Sequence, residues 1–84
     1  MLNSITDIFE LLEDSGLSCE WWDPFTIGIH DRTRTHSLED LANKVERILD
    51  TLDNVFTKEY DSFEDKNDTV IFLDNASLIK IAVY

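Results

Sequence analysis

The chain has 84 residues, the size of one small domain (residues 1–84) with a modest core. Its eighteen acidic and seven basic residues give a formal net charge of -11 at pH 7, a sign that disfavours direct binding to nucleic acid or to an anionic membrane. The 43% hydrophobic content, with five Phe, two Trp and two Tyr, favours a folded chain over a disordered one.

The beginning of the chain predicts a short amphipathic helix. Ser4 is typical of an N-cap, with Asp7 three residues later, and Ser15-Gly16 is typical of a helix end. The apolar residues of one helix face are Ile5, Ile8, Phe9 and Leu12. The acidic residues of the outer side are Glu10, Glu13 and Asp14. Because no basic residues precede the apolar positions, we expect neither a signal peptide nor a membrane span, and a cytoplasmic protein.

Alternating apolar and polar residues predict a β-hairpin after this helix, with its turn at Asp23-Pro24. The predicted inner face consists of Cys19, Trp21, Phe25, Ile27 and Ile29. The predicted outer face consists of Glu20, Trp22, Thr26, Gly28 and His30. Neighbouring side chains of a strand point to opposite faces, so Trp21 is expected in the core and Trp22 on the surface. The single cysteine excludes a disulfide within the chain, and we expect Cys19 to be a buried, unreactive thiol.

A second helix is predicted to begin after Ser37, an N-cap with Asp40 at position N3. Its apolar stripe extends over residues 38–56, and we expect the helix to fray between Lys58 and Asp61. At about 100° per residue, an acidic stripe follows one line of this helix, consisting of Glu39, Glu46, Asp50 and Asp53. Acidic residues continue beyond the helix, against Lys58 and Lys66, as Glu59, Asp61, Glu64, Asp65 and Asp68. Lys44 and Arg47 lie off the acidic line, so the stripe is not neutralised by ideal partners.

A second hairpin is predicted over residues 70–84, with strands at 70–73 and 78–84 around a turn at 74–77. The last strand is the most apolar and β-branched, so we expect it at the centre of the sheet. The element order is therefore αββαββ, which is also a circular permutation of the ferredoxin-like order βαββαβ. We predict an α+β fold, with a four-stranded antiparallel sheet and two helices packed on one face.

The sequence contains no motif that indicates catalysis. Glycine-rich phosphate loops, nucleophile elbows and paired-cysteine metal patterns are absent. His30, Asp31 and His36 could be written as a metal site, but their spacing matches no helix face. We therefore predict no enzymatic activity, no cofactor and no metal.

The leading hypothesis is a non-enzymatic inhibitor whose carboxylates imitate nucleic-acid phosphates and occupy the basic surface of a DNA- or RNA-handling protein. Such a protein resembles in type, and through no shared motif, the phage proteins that act against host restriction or CRISPR defence. Specificity needs more than charge, and Trp22 is the candidate aromatic anchor. The predicted partner-binding residues are Glu39, Glu46, Asp50, Asp53, Glu59, Asp61, Glu64, Asp65 and Trp22.

Three alternatives remain open at this point. An immunity protein or antitoxin that neutralises a basic nuclease toxin would use the same charge steering. A structural or adaptor module could dimerise through the open face of its sheet. A hydrolase that uses the His30, Asp31 and His36 cluster is the weakest of the three.

Overall fold

The computed structural model describes residues 4–30, 37–63 and 67–84, with the backbone alone for residues 61–63, 67 and 68. Two helices and five strands follow one another along the chain. They are α1 (Ile5–Asp14), β1 (Ser18–Asp23), β2 (Thr26–His30), α2 (Leu38–Leu49), β3 (Thr57–Phe63), β4 (Asn67–Asp74) and β5 (Ile79–Val83). The predicted α+β class is confirmed.

Local capping signals define the ends of α1 and the start of α2. The Ser4 hydroxyl accepts a hydrogen bond from the Asp7 backbone N–H, and the Asp7 carboxylate accepts one from the Ser4 N–H, which completes a capping box. Gly16 has φ +89, a left-handed conformation that favours glycine and ends α1. The Ser37 hydroxyl caps α2 by accepting from the Asp40 N–H at 3.2 Å. These three predicted boundaries, the start and end of α1 and the start of α2, are confirmed.

The five strands form one mixed sheet in the order β1-β2-β5-β4-β3. The β2 and β5 strands pair in parallel, and the other three pairs are antiparallel. The predicted four-stranded antiparallel sheet, with its permuted ferredoxin-like arrangement, is therefore wrong in detail. Two differences account for this: the segment after α2 adds β3 as a fifth strand, and β5 lies between β4 and β2, pairing in parallel with β2. The central position of β5 was predicted correctly, because its β-branched residues favour a strand that is paired on both edges.

The second helix ends at Leu49, about three turns before the fraying predicted between Lys58 and Asp61. Asp50 is its C-cap, the Thr51 hydroxyl donates to the Ile48 carbonyl, and the Leu52 N–H bonds to the Leu49 carbonyl in a tighter turn. Leu52 and Phe56 still pack against the core, so the apolar pattern is satisfied without helix. Residues 57–63 pair with β4 instead. This pairing depends on contacts between strands, which the hydrophobic pattern of a single segment does not indicate.

One continuous core lies between the sheet and both helices. Its strand residues are Ile27, Ile29, Val70, Phe72, Ile79, Ile81 and Val83. Its helix residues are Ile8, Leu12, Leu41, Ala42, Val45 and Leu49. The α1 helix packs over β1, and α2 packs over β4 and β5, so both helices lie on the same face of the sheet. None of the helices among the described residues has the length and apolar character needed to cross a membrane.

A buried carboxylate connects the segment after α2 to the turn between β4 and β5. Asp74 is 2% exposed and accepts hydrogen bonds from Asn54 Nδ2 at 2.9 Å, Ser77 Oγ at 2.7 Å and the Ala76 N–H at 2.9 Å. Burial raises the pKa of Asp74, but these donors together outweigh it and hold the pKa below its ordinary value. This network therefore favours the ionised carboxylate and stabilises the fold near neutral pH.

Candidate functional site

The strand pairing shows which side chains share the sheet face that is opposite both helices. Residues paired across neighbouring strands lie on one face, and one such row crosses all five strands. It consists of Glu20, Gly28, Ala82, Ile71 and Glu59. We call the face that carries this row the open face. Its two acidic ends, Glu20 and Glu59, are four strand spacings apart, or about 19 Å.

Trp22 lies on the open face, as predicted, and its indole is held there by packing and by a hydrogen bond. The pairing register shifts between Trp21 and Asp23, which leaves Trp22 as an extra residue of β1. The indole lies directly over Gly28, and a Cβ at that position would overlap the ring. Its Nε1–H donates to Glu20 Oε1 at 3.0 Å. Trp22 is nevertheless 50% exposed, so the ring is held in place while one of its faces meets solvent.

Two further rings complete an aromatic cluster, which we define as Trp22, Tyr84 and His30. The Trp22 and Tyr84 ring centroids are 5.1 Å apart at 46°, and those of His30 and Tyr84 are 5.2 Å apart at 27°. The Tyr84 hydroxyl donates to the same Glu20 oxygen that accepts from Trp22. Burial, followed by the bond to Glu20 and its charge, raises the pKa of Tyr84, so the hydroxyl stays a neutral donor.

Trp21 and Phe25 do not enter the core as predicted. Trp21 faces the helices and stacks on Phe9 of α1 with centroids 4.7 Å apart at 10°, yet it is 46% exposed. It belongs to an edge strand, so only one of its faces is covered. Phe25 is 59% exposed because it occupies the turn between β1 and β2, where its N–H bonds to the Asp23 carboxylate at 2.8 Å. Strand alternation assigned the correct face to Trp21 but not its depth.

The predicted acidic stripe does not form one line on a helix. Glu39 is exposed on α2, whereas Asp50 is the C-cap and Asp53 is exposed beyond the helix end. Glu46 follows the buried Ala42 by one helical turn, so it points toward the sheet and forms an ion pair with Lys58 at 3.3 Å. The prediction that the stripe lacks a neutralising partner is therefore wrong at Glu46, because β3 supplies a lysine that the helix itself does not.

The acidic residues predicted after α2 do not form one surface with the helix residues either. Glu59 is exposed on the open face. Asp61 lies in β3 with its backbone alone described, and Glu64 and Asp65 lie outside the described residues. Asp31 and His36 of the considered metal cluster also lie outside the described residues.

A more uniformly acidic surface lies on α1, which was noted as acidic but not predicted to bind a partner. Glu10, Glu13 and Asp14 are exposed on the side of α1 that faces away from Ile8 and Leu12. No Lys or Arg occurs in residues 1–31, whereas α2 mixes its acids with Lys44 and Arg47. This charge asymmetry between the first third and the rest of the sequence was the signal for this surface. We call the outer surface of α1 and α2 the acidic helix layer.

The acidic helix layer and the aromatic cluster lie on opposite sides of the molecule. Both helices cover one face of the sheet, and Trp22 lies on the other. The predicted partner-binding residues therefore divide into two surfaces. A single flat partner surface can contact Glu39 and Asp50, or Trp22 and Glu59, but not both pairs.

The described residues can bind a partner through charge and aromatic contacts. Burial, and then the charge of Glu13, raises the pKa of Cys19 to about 11, so its thiol stays protonated at neutral pH. No group of three or more His, Cys, Asp or Glu side chains within residues 4–30, 37–63 and 67–84 is arranged to hold a metal ion. Comparisons with protein families, with curated proteins and with solved structures found no match to this chain.

Proposed function

We propose that this protein is a non-enzymatic acidic inhibitor that binds the basic nucleic-acid-binding surface of a DNA- or RNA-handling protein. The observation that supports this most is the acidic helix layer, where exposed carboxylates of both helices face away from the core. They include Glu10, Glu13, Asp14, Glu39, Asp40 and Asp50. A net charge of -11 on 84 residues destabilises a compact fold through self-repulsion, and a basic partner would relieve it.

The dimensions of the layer suit this function. At about 1.5 Å per residue, Glu39 and Asp50 are roughly 16 Å apart along α2, which is close to half a turn of duplex DNA. Carboxylates held on a helix over that length can contact several of the lysine or arginine side chains that would otherwise neutralise phosphates. Binding there excludes nucleic acid from the partner by occupying the same basic side chains.

Competition with nucleic acid tests the proposal directly. Proteins of the native cell that are retained on heparin are passed over the immobilised chain, and each bound protein is then purified. We expect duplex DNA or RNA to displace the chain from its partner, and the affinity to fall steeply as salt rises. A partner that binds equally well with excess nucleic acid and at high salt would contradict mimicry. A partner that is a nuclease toxin would assign the chain to the immunity proteins.

A matched pair of variants tests which surface carries the binding. Glu39→Gln and Glu59→Gln each remove one unit of negative charge, the first from the acidic helix layer and the second from the open face. Both variants have the same net charge, so steering by the overall field changes equally. We expect Glu39→Gln to reduce association with the partner several-fold more than Glu59→Gln, measured by surface plasmon resonance. Equal effects would show that charge acts only through the overall field.

A further inference from the structure

The open face carries an interaction surface that the proposed function does not use. Both helices pack on the other side of the sheet, so the acidic helix layer cannot explain why Trp22 and Tyr84 are held at the surface. Trp22 is 50% exposed and Tyr84 is 40% exposed. No helix of the described residues covers these two rings, and large exposed aromatics are typical of interface anchors.

The cluster is arranged before any partner arrives. Gly28 leaves the space for the indole, and the Glu20 carboxylate accepts hydrogen bonds from both Trp22 and Tyr84. His30 also packs against Tyr84, with ring centroids 5.2 Å apart. These contacts fix the orientations of two rings that remain 50% and 40% exposed. Binding to them therefore costs little side-chain entropy, which is the property of a preorganised site.

The electrostatics of the open face favour a cationic ligand. The faces of Trp and Tyr rings attract cations, and Trp does so most strongly. The Glu20 carboxylate accepts hydrogen bonds from both rings, and Asp23 adds negative charge on the same side of the sheet. The bases described on this face are Lys80, which is paired across from Thr26, and His30 of the aromatic cluster itself. A guanidinium group fits better than an ammonium group, because it is planar, weakly hydrated and able to stack on a ring.

We propose that the exposed faces of Trp22 and Tyr84 bind an arginine side chain from a segment of a second, basic protein. A second copy of this chain is a poor occupant, because each copy carries a net charge of -11 and would repel the other. The inference goes beyond the proposed function and concerns the opposite surface. It can fail while mimicry by the acidic helix layer succeeds, and the reverse also holds.

The test uses the two indole N–H signals of the full chain in a 15N-labelled sample. The probe is a blocked Arg-Gly-Arg peptide, and the control is the same peptide with citrulline, which keeps the shape of arginine but lacks its charge. We expect the Trp22 indole signal to shift with the arginine peptide, and the Trp21 signal to stay in place because Trp21 stacks on Phe9 on the other face. The citrulline peptide should bind about tenfold more weakly.

Substitutions separate loss of binding from loss of folding. Tyr84→Leu removes one ring and should weaken peptide binding several-fold, whereas Trp21→Leu, on the opposite face, should leave it unchanged. Retained dispersion of the amide spectrum shows that each variant is folded. Trp22→Phe provides a second variant, which keeps an aromatic ring over Gly28. Equal binding of the citrulline peptide, or equal shifts of both indoles, would overturn the proposal. So would a Trp22 signal that depends on protein concentration without peptide, since that result assigns the face to self-association.

Discussion

Replacing Gly28 by alanine tests whether the fold reserves this position for the indole of Trp22. Gly28 lies in β2 and its φ angle is not in the left-handed region, so alanine is compatible with the backbone there. The added methyl would instead overlap Nε1, Cε2 and Cδ1 of Trp22. The ring must move away from Gly28 or tilt, and its hydrogen bond to Glu20 must break or lengthen.

The expected cost follows from the area that the indole buries. A tryptophan can bury up to about 250 Å², and since Trp22 keeps half of its surface exposed, leaving the seat uncovers about 125 Å² or roughly 3 kcal/mol. The exposed hydrogen bond adds about 0.5 kcal/mol. Alanine in a strand recovers up to about 1 kcal/mol relative to glycine. Because the ring can partly reseat, we expect a net loss of about 1–2 kcal/mol, or roughly 4–16 °C in Tm.

Thermal and urea unfolding, followed by far-UV circular dichroism, measure this loss. The control is a double-mutant cycle with Trp22→Ala, which removes the ring that the methyl would meet. In that background we expect Gly28→Ala to be neutral, or stabilising by up to about 1 kcal/mol. If Gly28→Ala costs the same with and without the indole, the steric reasoning is refuted. The requirement for glycine must then come from the backbone.

Three further predictions concern the turn between β4 and β5. Asn54→Ala removes one donor from the buried Asp74 carboxylate and should destabilise the protein by about 1.5–3 kcal/mol, measured by urea unfolding. The pKa of Asp74 is lower in the folded than in the unfolded chain, so its contribution is complete above the ordinary Asp pKa and is lost as the pH falls through the folded value. An Asp74→Asn variant should therefore lose less stability than the native chain as the pH falls below the ordinary Asp pKa of about 3.9, and an identical decline in both would contradict the assignment. Leu78 has φ 60 and is 66% exposed, so Leu78→Gly should raise the free energy of unfolding by about 1 kcal/mol; a decrease would mean that the leucine makes a stabilising contact.

The candidate sites could be predicted only in part. Strand alternation correctly placed Trp22 on the face opposite the core, because the two-residue period of a strand is a local property. It could not place Trp22 over Gly28, since that contact depends on the register between β1 and β2. Helical periodicity grouped Glu46 with Glu39, but it could not foresee that β3 would bring Lys58 to Glu46.

The sequence by itself determined the elements whose signals are local. The Ser4 and Ser37 caps, the left-handed Gly16 and the turn at Asp23-Pro24 each act through residues within four positions of one another. It also determined the central position of β5, since its β-branched residues favour a strand that is paired on both edges. The tertiary structure decided where α2 ends, because residues 57–63 gain more from pairing with β4 than from extending a helix through Asp, Thr and Asn. It likewise decided the parallel pairing of β2 with β5, and with it the separation of the acidic helix layer from the aromatic cluster. Such pairings join residues distant in the chain, and their free energy is set by the assembled sheet rather than by any short stretch of sequence.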